Sequence, residues 1–375
     1  MSVPERGASS RLRDAGARGM CRRSMRAALK MLEGRWMIGP GAARAWLLAA
    51  MSAAVLPTTD AWRVPTPHRR DPAAMHGRRT ACQGARAELP ETLVFGLQSG
   101  AFPGSGHPDV AVHVPAGFDA TRRPGLIVYF HGWRGCVEAA MSAGDVSCHE
   151  GGDRLPGSAI ASQVDEARVN ALAVAVELRP EMSTGEPGNL ASPGGFHELL
   201  RELLSERLAP YLGCPIEVDA LDRVVVVAHS GGYQAAASVL ALGDVPEIRE
   251  VVLLDALYGA QDVFLRWMGD SADEDSLAES RRFVDIYTCC SGTAEASRAM
   301  AERTRRASSA VTFLAPPLGD QVAFPAAALI DESDRELDAT ALAHRWLFKR
   351  VARPHDALPR EFVTIIARSA GFAKL

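Results

Sequence analysis

The sequence has no apolar run of the ~20 residues that a membrane-spanning helix needs, so a stable membrane span is not expected. It has no internal repeat, which removes solenoids and propellers. It also lacks a glycine-rich phosphate loop, since Gly231-Gly232 stands without a G-x-G-x-x-G pattern or a Walker lysine around it. Over its 375 residues, apolar side chains make up 47% and charged ones 23%, which fits a globular chain and excludes collagen, coiled-coil and disordered compositions. What is missing beyond residue 80 is positive charge. Residues 1–80 hold 15 Lys and Arg against 5 Asp and Glu, leaving 26 against 40 for the rest. A nucleic-acid partner needs a basic surface on the folded part, and here the basic part is a leader or tail, so no nucleic acid is expected.

Residues 1–56 read as that leader. Arg22, Arg23, Arg26 and Lys30 precede an apolar run of twelve, Ala45 to Leu56, closed by Pro57. The run is too short for a bilayer but fits a secretory h-region, and a start at Met25 or Met37 would bring the positive stretch before it to ordinary length. The competing reading is a buried helix. The expectation is a secreted or periplasmic protein, or a cytoplasmic one if the leader is not functional. Arg79-Thr80-Ala81 before Cys82 is not a lipobox. Of seven cysteines, Cys21 would leave with the leader, and the remaining six can pair completely. Cys136 and Cys148 flank a Gly-containing loop and are the expected pair. Cys289-Cys290 has no metal-ligand spacing around it and reads as structural.

Residues 57–92 are rich in Pro, Arg and Ala and read as a linker, and the folded domain is expected over residues 93–375. There, short apolar runs alternate with helical patterns: strands at Asp109–Val114, Leu126–Phe130, Ala171–Val176, Val224–Val227 and Val251–Leu254, with later ones at Phe283–Tyr287, Val311–Leu314 and Trp346–Val351. Continuous apolar runs are what strands buried on both faces of a parallel sheet require. Phe196 to Leu212 carries apolar residues at helical spacing, and Gln234 to Leu242 and Ala294 to Arg305 are further helices. The fold class is therefore α/β with a mostly parallel sheet covered by helices. The tract 316–345 reads as an insertion before the last strand. The loop from Glu177 to Gly188 is expected at the edge of the sheet where ligands bind. Segment 260–280 is either a short lid or a solvated acidic loop.

The most informative stretch is Val224-Val225-Val226-Val227-Ala228-His229-Ser230-Gly231-Gly232, a strand running into a serine flanked by small residues, with an alanine-rich helix directly behind. It resembles the nucleophile elbow, G-x-S-x-G, of the α/β-hydrolase family, with Ala228 in place of the first glycine. The turn holds the serine in a strained conformation with Oγ exposed, and small residues two before and two after keep it free of clashes. A second match is Leu126-Ile127-Val128-Tyr129-Phe130-His131-Gly132-Trp133, a strand ending in His-Gly. The resemblance implies the α/β-hydrolase fold, with helices on both faces of the sheet, and an oxyanion hole formed by the N–H of Gly231 and that of Gly132 or Trp133. His131 is expected to orient the loop and not to act as the base.

The resemblance further implies a catalytic base after the final strand. His355, in a loop before a helix opened by Pro359, is preferred to His344, which lies in or beside a regular element. For the acid, Asp255 at the end of the strand after the nucleophile strand is preferred, with Glu295, Asp285 and Asp331 behind it and a helix N-cap as the alternative role. The implied activity is that of a serine esterase or lipase acting on small-molecule or polymeric esters, without metal or organic cofactor. A peptidase or amidase on the same residues is the runner-up. A binding module that keeps the fold without turnover is the rival from another class.

Overall fold

A computed structural model describes residues 89–148, 152–179, 185–269, 281–288, 292–307, 311–314, 328–333 and 335–375, all within one compact unit that spans Asp71–Leu375. The leader, nearly all of the linker, Cys289-Cys290 and the acidic stretch after Gly269 lie outside the described residues.

The apolar runs become strands: β1 (Glu91–Phe95), β2 (Val110–Val114), β3 (Gly125–Phe130), a separate small hairpin of β4 (Asp145–Ser147) and β5 (Arg154–Pro156), then β6 (Ala171–Val176), β7 (Val224–His229), β8 (Ile248–Leu254), β9 (Arg282–Thr288), β10 (Val311–Leu314), β11 (Ala328–Asp331) and β12 (Trp346–Val351). Ten of them form one sheet in the order β1-β2-β6-β3-β7-β8-β9-β12-β11-β10. Only β2 opposes its neighbours, and every pair from β6 to β10 is parallel. The tract 316–345 is thus not merely an insertion: part of it, β11, extends the sheet beside β12. Its apolar run, Ala326 to Ile330, is mostly alanine with only Leu329 and Ile330 as large side chains, which does not stand out as a strand in sequence.

Alternation along the strands divides the core in two. Leu126, Val128, Phe130, Val224, Val226 and Ala228 face one side, and Ile127, Tyr129, Val225 and Val227 the other. In chain order the helices are α1 (Val137–Met141), α2 (Ile160–Ala167), α3 (Gly195–Arg201), α4 (Ala209–Leu212), α5 (Tyr233–Leu242), α6 (Gln261–Gly269), α7 (Thr293–Ala307) and α8 (Leu358–Ser369). The first side is covered by α3, α5, α6 and α7 through Phe196, Val239, Phe264 and Met300. The second is covered by α1, α2 and α8 through Val137, Ile160, Val164, Val363 and Ile366. Each such fully buried large side chain contributes roughly 1.5–3 kcal/mol. This is an α/β architecture, a mostly parallel sheet with helices on both faces.

The helix expected over Phe196–Leu212 is broken. Its middle, Glu202–Arg207, is π-helical, and a new turn starts where Pro210, which has no N–H to give, occupies a first-turn position. The Glu202 carboxylate accepts the backbone N–H groups of Gln98 and Ser99 at 3.0 and 2.8 Å, which ties this helix to the loop after β1. Within segment 260–280, Gln261–Gly269 is helix, with Phe264, Trp267 and Met268 buried against the core. No helix among the described residues is long and apolar enough to cross a membrane.

Candidate active site

Strand β7 ends at His229, and the chain turns through a 3-10 segment, Ser230–Gly232, directly into α5. Ser230 has φ +51°, the left-handed region that a side chain enters at a cost of order 1–3 kcal/mol. The fit around it explains the small residues of the motif. A Cβ on Gly232 would collide with the carbonyl oxygen of Phe130, and one on Gly132 would lie 2.7 Å from Cβ of Ser230. Ala228 is fully buried between Phe130 of β3 and Leu253 of β8. A Cβ on Gly185, itself at φ +59°, would lie 2.5 Å from the carbonyl oxygen of Gly231, so the end of the 177–188 loop lies against the turn.

The loop after β3 is held by His131. Its Nε2 accepts the N–H of Leu178 at 3.0 Å, and because a backbone N–H can only donate, the proton sits on Nδ1, which donates to Gly132 O at 2.8 Å. His131 therefore orients the loop that carries Gly132 and Trp133. The same loop is fixed further on by the Cys136–Cys148 disulfide and by the buried Glu177, whose Oε2 accepts the Val137 N–H at 2.8 Å. Cys214 is disulfide-bonded as well. Trp133 is 53% exposed, with the Arg134 guanidinium 4.7 Å from its ring.

Asp255 follows β8 directly, in the left-handed region at φ +47°, and is completely buried. Its Oδ2 accepts His355 Nδ1–H at 2.7 Å and the Thr288 hydroxyl at 3.0 Å; Oδ1 accepts the Thr288 N–H at 3.2 Å and the Thr293 hydroxyl. It is not the N-cap of the helix that follows it, since α6 begins only at Gln261. His355 opens a 3-10 turn between β12 and α8, with Pro359 in the first turn of that helix. Burial works against protonation of the His355 imidazole, but the hydrogen bond and charge of Asp255, with Asp356 adding to them, outweigh it and raise its pKa above the ordinary value.

His344 is placed elsewhere. It precedes β12 while His355 follows it, so a six-residue strand, roughly 20 Å, separates them, and its Nδ1 lies 3.1 Å from Ala341 O. The other carboxylates are elsewhere too. Glu295 is exposed in the first turn of α7. Asp331 pairs with the fully buried Lys349 at 2.9 Å. Asp285 lies inside β9 facing the Ser297 hydroxyl, and burial pushes it up to about 7.

Ser230 and the His355–Asp255 pair thus sit at the same end of the sheet, on β7 and its neighbour β8. Among the described residues no hydrogen bond joins Ser230 to His355. Tyr258, three residues past Asp255, faces Ser230, and its phenol is pushed up to about 12 by burial and by the Asp255 charge and so stays protonated. Four residues of this cluster were not anticipated: Thr288, Thr293, Tyr258 and His229. The threonines bracket the Cys-Cys-Ser-Gly run after β9, a stretch notable in sequence only for having no carboxylate. His229, His355 and Asp356 each offer a ligand atom within 4.8 Å of the others, a set that could hold a metal ion. Both imidazoles are already engaged, His355 with Asp255 and His229 Nε2 with the His355 carbonyl at 3.2 Å.

No protein-family model matches the chain, and no curated protein does. Among solved structures the chain is similar to a mutant feruloyl esterase module from Clostridium thermocellum complexed with sinapinate, at 9% identity over 76% of this chain and 88% of that one, with a TM-score of 0.43. It is also similar to brefeldin A esterase, a bacterial homologue of human hormone sensitive lipase, at 16% identity over 79% and 77% of the two chains, with a TM-score of 0.33. A third is an inhibited esterase B from Lactobacillus rhamnosis, at 11% identity over 59% and 74%, with a TM-score of 0.32. Likeness at these identities concerns fold alone, and no residue role comes from it.

Proposed function

We propose that the protein is a serine ester hydrolase with Ser230 as nucleophile, His355 as base and Asp255 as the acid that orients it. The observation that carries this reading is the 2.7 Å bond from His355 Nδ1 to the buried Asp255, set on the strand beside the one that delivers Ser230 into a left-handed turn. With Nδ1–H committed to Asp255, Nε2 keeps its lone pair and can take the Ser230 proton as Oγ attacks an ester carbonyl. That transfer requires Ser230 and His355 to close on each other when substrate binds, as catalytic hydrogen bonds often do. The carbonyl oxygen becomes an anion, received by the N–H of Gly231 and that of Gly132 or Trp133, each donor supplying roughly 3–4 kcal/mol. His355 then protonates the leaving alcohol, and a water deprotonated by the same nitrogen releases the acid. The chemistry needs no metal or organic cofactor. The leader with its apolar run at 45–56 and the Cys136–Cys148 disulfide support a secreted or periplasmic setting.

The test is hydrolysis of p-nitrophenyl acetate by wild type, Ser230→Ala and His355→Ala. Turnover by wild type that falls by orders of magnitude in both variants, with folding unchanged by circular dichroism, is the expected result. A folded wild type without turnover, or a Ser230→Ala variant as active as wild type, contradicts the proposal.

A further inference from the structure

The elbow pattern explains Ala228, Ser230 and Gly232 but leaves the residue before the serine free, and here it is histidine. At the end of a strand buried on both faces an apolar side chain would cost less, because an imidazole taken out of water must find partners for its nitrogens. His229 is 9% exposed, and its partner is unusual: Nε2 lies 3.2 Å from the backbone carbonyl oxygen of His355. The two rings also pack face against face, with centroids 4.6 Å apart and planes tilted by 36°. One small side chain thus grips both the backbone and the ring of the residue read as the base.

We propose that His229 is a positioning residue, whose side chain holds the His355 ring in register between Asp255 and Ser230. This rests on the reading of His355 as base. A carbonyl oxygen can only accept, so His229 carries its proton on Nε2 and turns an unprotonated Nδ1 toward the Gly132 loop, where a Cβ on Gly132 would lie 3.3 Å from it. From its place directly before the nucleophile, His229 therefore touches two parts of the site at once: the loop expected to carry the oxyanion donor and the base. The groups facing it are His355 and Asp356 from the turn after β12, Asp255 from the end of β8 and His131 from the end of β3. Burial pushes His229 down to about 3, with the His355 charge in the same direction and the carbonyl bond and Asp255 opposing. It stays uncharged over the whole working range, so it steadies His355 without repelling the imidazolium that forms during turnover. Without it the His355 ring, on a short 3-10 turn and 30% exposed, is held by the Asp255 bond, while the His355 carbonyl keeps the Leu358 N–H.

The variants are His229→Leu, which removes ring and donor, and His229→Gln, whose amide can still donate to the His355 carbonyl. Two readouts are used: kcat, KM and the pH profile on p-nitrophenyl acetate, and the low-field proton resonance of the His355–Asp255 hydrogen bond, which needs no turnover. In folded His229→Leu, kcat is expected to fall roughly ten- to hundredfold, the range a misplaced reacting group produces, with KM little changed. The resonance should broaden or vanish, and the acid-side midpoint of the pH profile should move. His229→Gln should restore most of each. Wild-type kcat, pH midpoint and resonance in His229→Leu would overturn the proposal, as would a folded His229→Gln no better than His229→Leu. If wild type hydrolyses nothing, the esterase reading falls, and the resonance still decides whether His229 holds the His355–Asp255 pair.

Discussion

Replacing Asp255 by Asn separates charge and tautomer from packing. The side chain is isosteric, but one oxygen becomes an NH2, and the structure dictates which. Oδ1 faces the Thr288 backbone N–H at 3.2 Å, a donor that cannot turn round, whereas the threonine hydroxyls can rotate to accept. The Asn oxygen must therefore take the Oδ1 place, leaving the NH2 at Oδ2, where His355 Nδ1 sits 2.7 Å away. His355 can accept from that NH2 only by moving its proton to Nε2, the nitrogen that has to receive the Ser230 proton. The base is then in the wrong tautomer. Such an error in a serine triad costs roughly 10⁴-fold in kcat, about 5.5 kcal/mol of barrier. Asp255→Ala should lose activity as well but also leave the Thr288 N–H unpaired, about 1–3 kcal/mol of stability. The assay is kcat on p-nitrophenyl acetate beside a urea titration for each variant. If Asp255→Asn keeps kcat within tenfold of wild type, His355 does not depend on Asp255 for its tautomer and the argument is wrong.

Three further predictions follow from the same geometry. Because the base works only when neutral and Asp255 and Asp356 raise its pKa, kcat/KM should be lost as pH falls, with a midpoint above the ordinary histidine value of about 6.5; Asp356→Asn should lower that midpoint, and a wild-type midpoint at or below 6.5 contradicts this. Asp285 holds its proton to about 7 in the folded state but loses it near the ordinary carboxyl value when unfolded, so it subtracts stability as pH rises from about 4 to about 7, at most on the order of 4 kcal/mol. Asp285→Asn should therefore gain on wild type between pH 5 and pH 8 in urea unfolding, and a pH-independent difference refutes the assignment. Gly232→Ala puts a methyl group into the Phe130 carbonyl, which is backbone and cannot step aside, and should abolish turnover while destabilising the fold by about 1–3 kcal/mol; an active, equally stable variant would show that the turn is not tightly packed.

Much of the sheet was legible because strands buried on both faces must be written as unbroken apolar runs, as in Val224-Val225-Val226-Val227 and Ala171 to Val176. The helix covering one face was legible in its period but not in its break at the π segment, whose first residue, Glu202, is bonded to Gln98 and Ser99 about a hundred residues away in the chain. Strands β1 and β11 were not anticipated: each has few large apolar residues, and each becomes a strand by hydrogen bonding at or beside the edge of a sheet whose stronger strands it adjoins. The same holds in the site. Ser230, Asp255 and His355 announce themselves by place, at the ends of strands, whereas Thr288, Thr293 and Tyr258 carry no pattern, and only the adjacency of β8 and β9 brings the threonines to Asp255.

The most direct test of the central claim is intact-protein mass spectrometry after exposure to a fluorophosphonate, followed by peptide mapping of the adduct. The account predicts one phosphonyl group on wild type, mapped to Ser230, absent from Ser230→Ala and formed far more slowly in His355→Ala. A folded wild type that takes no label, or takes it on another residue, would contradict the account and leave Ser230 as a strained turn in a protein with another task.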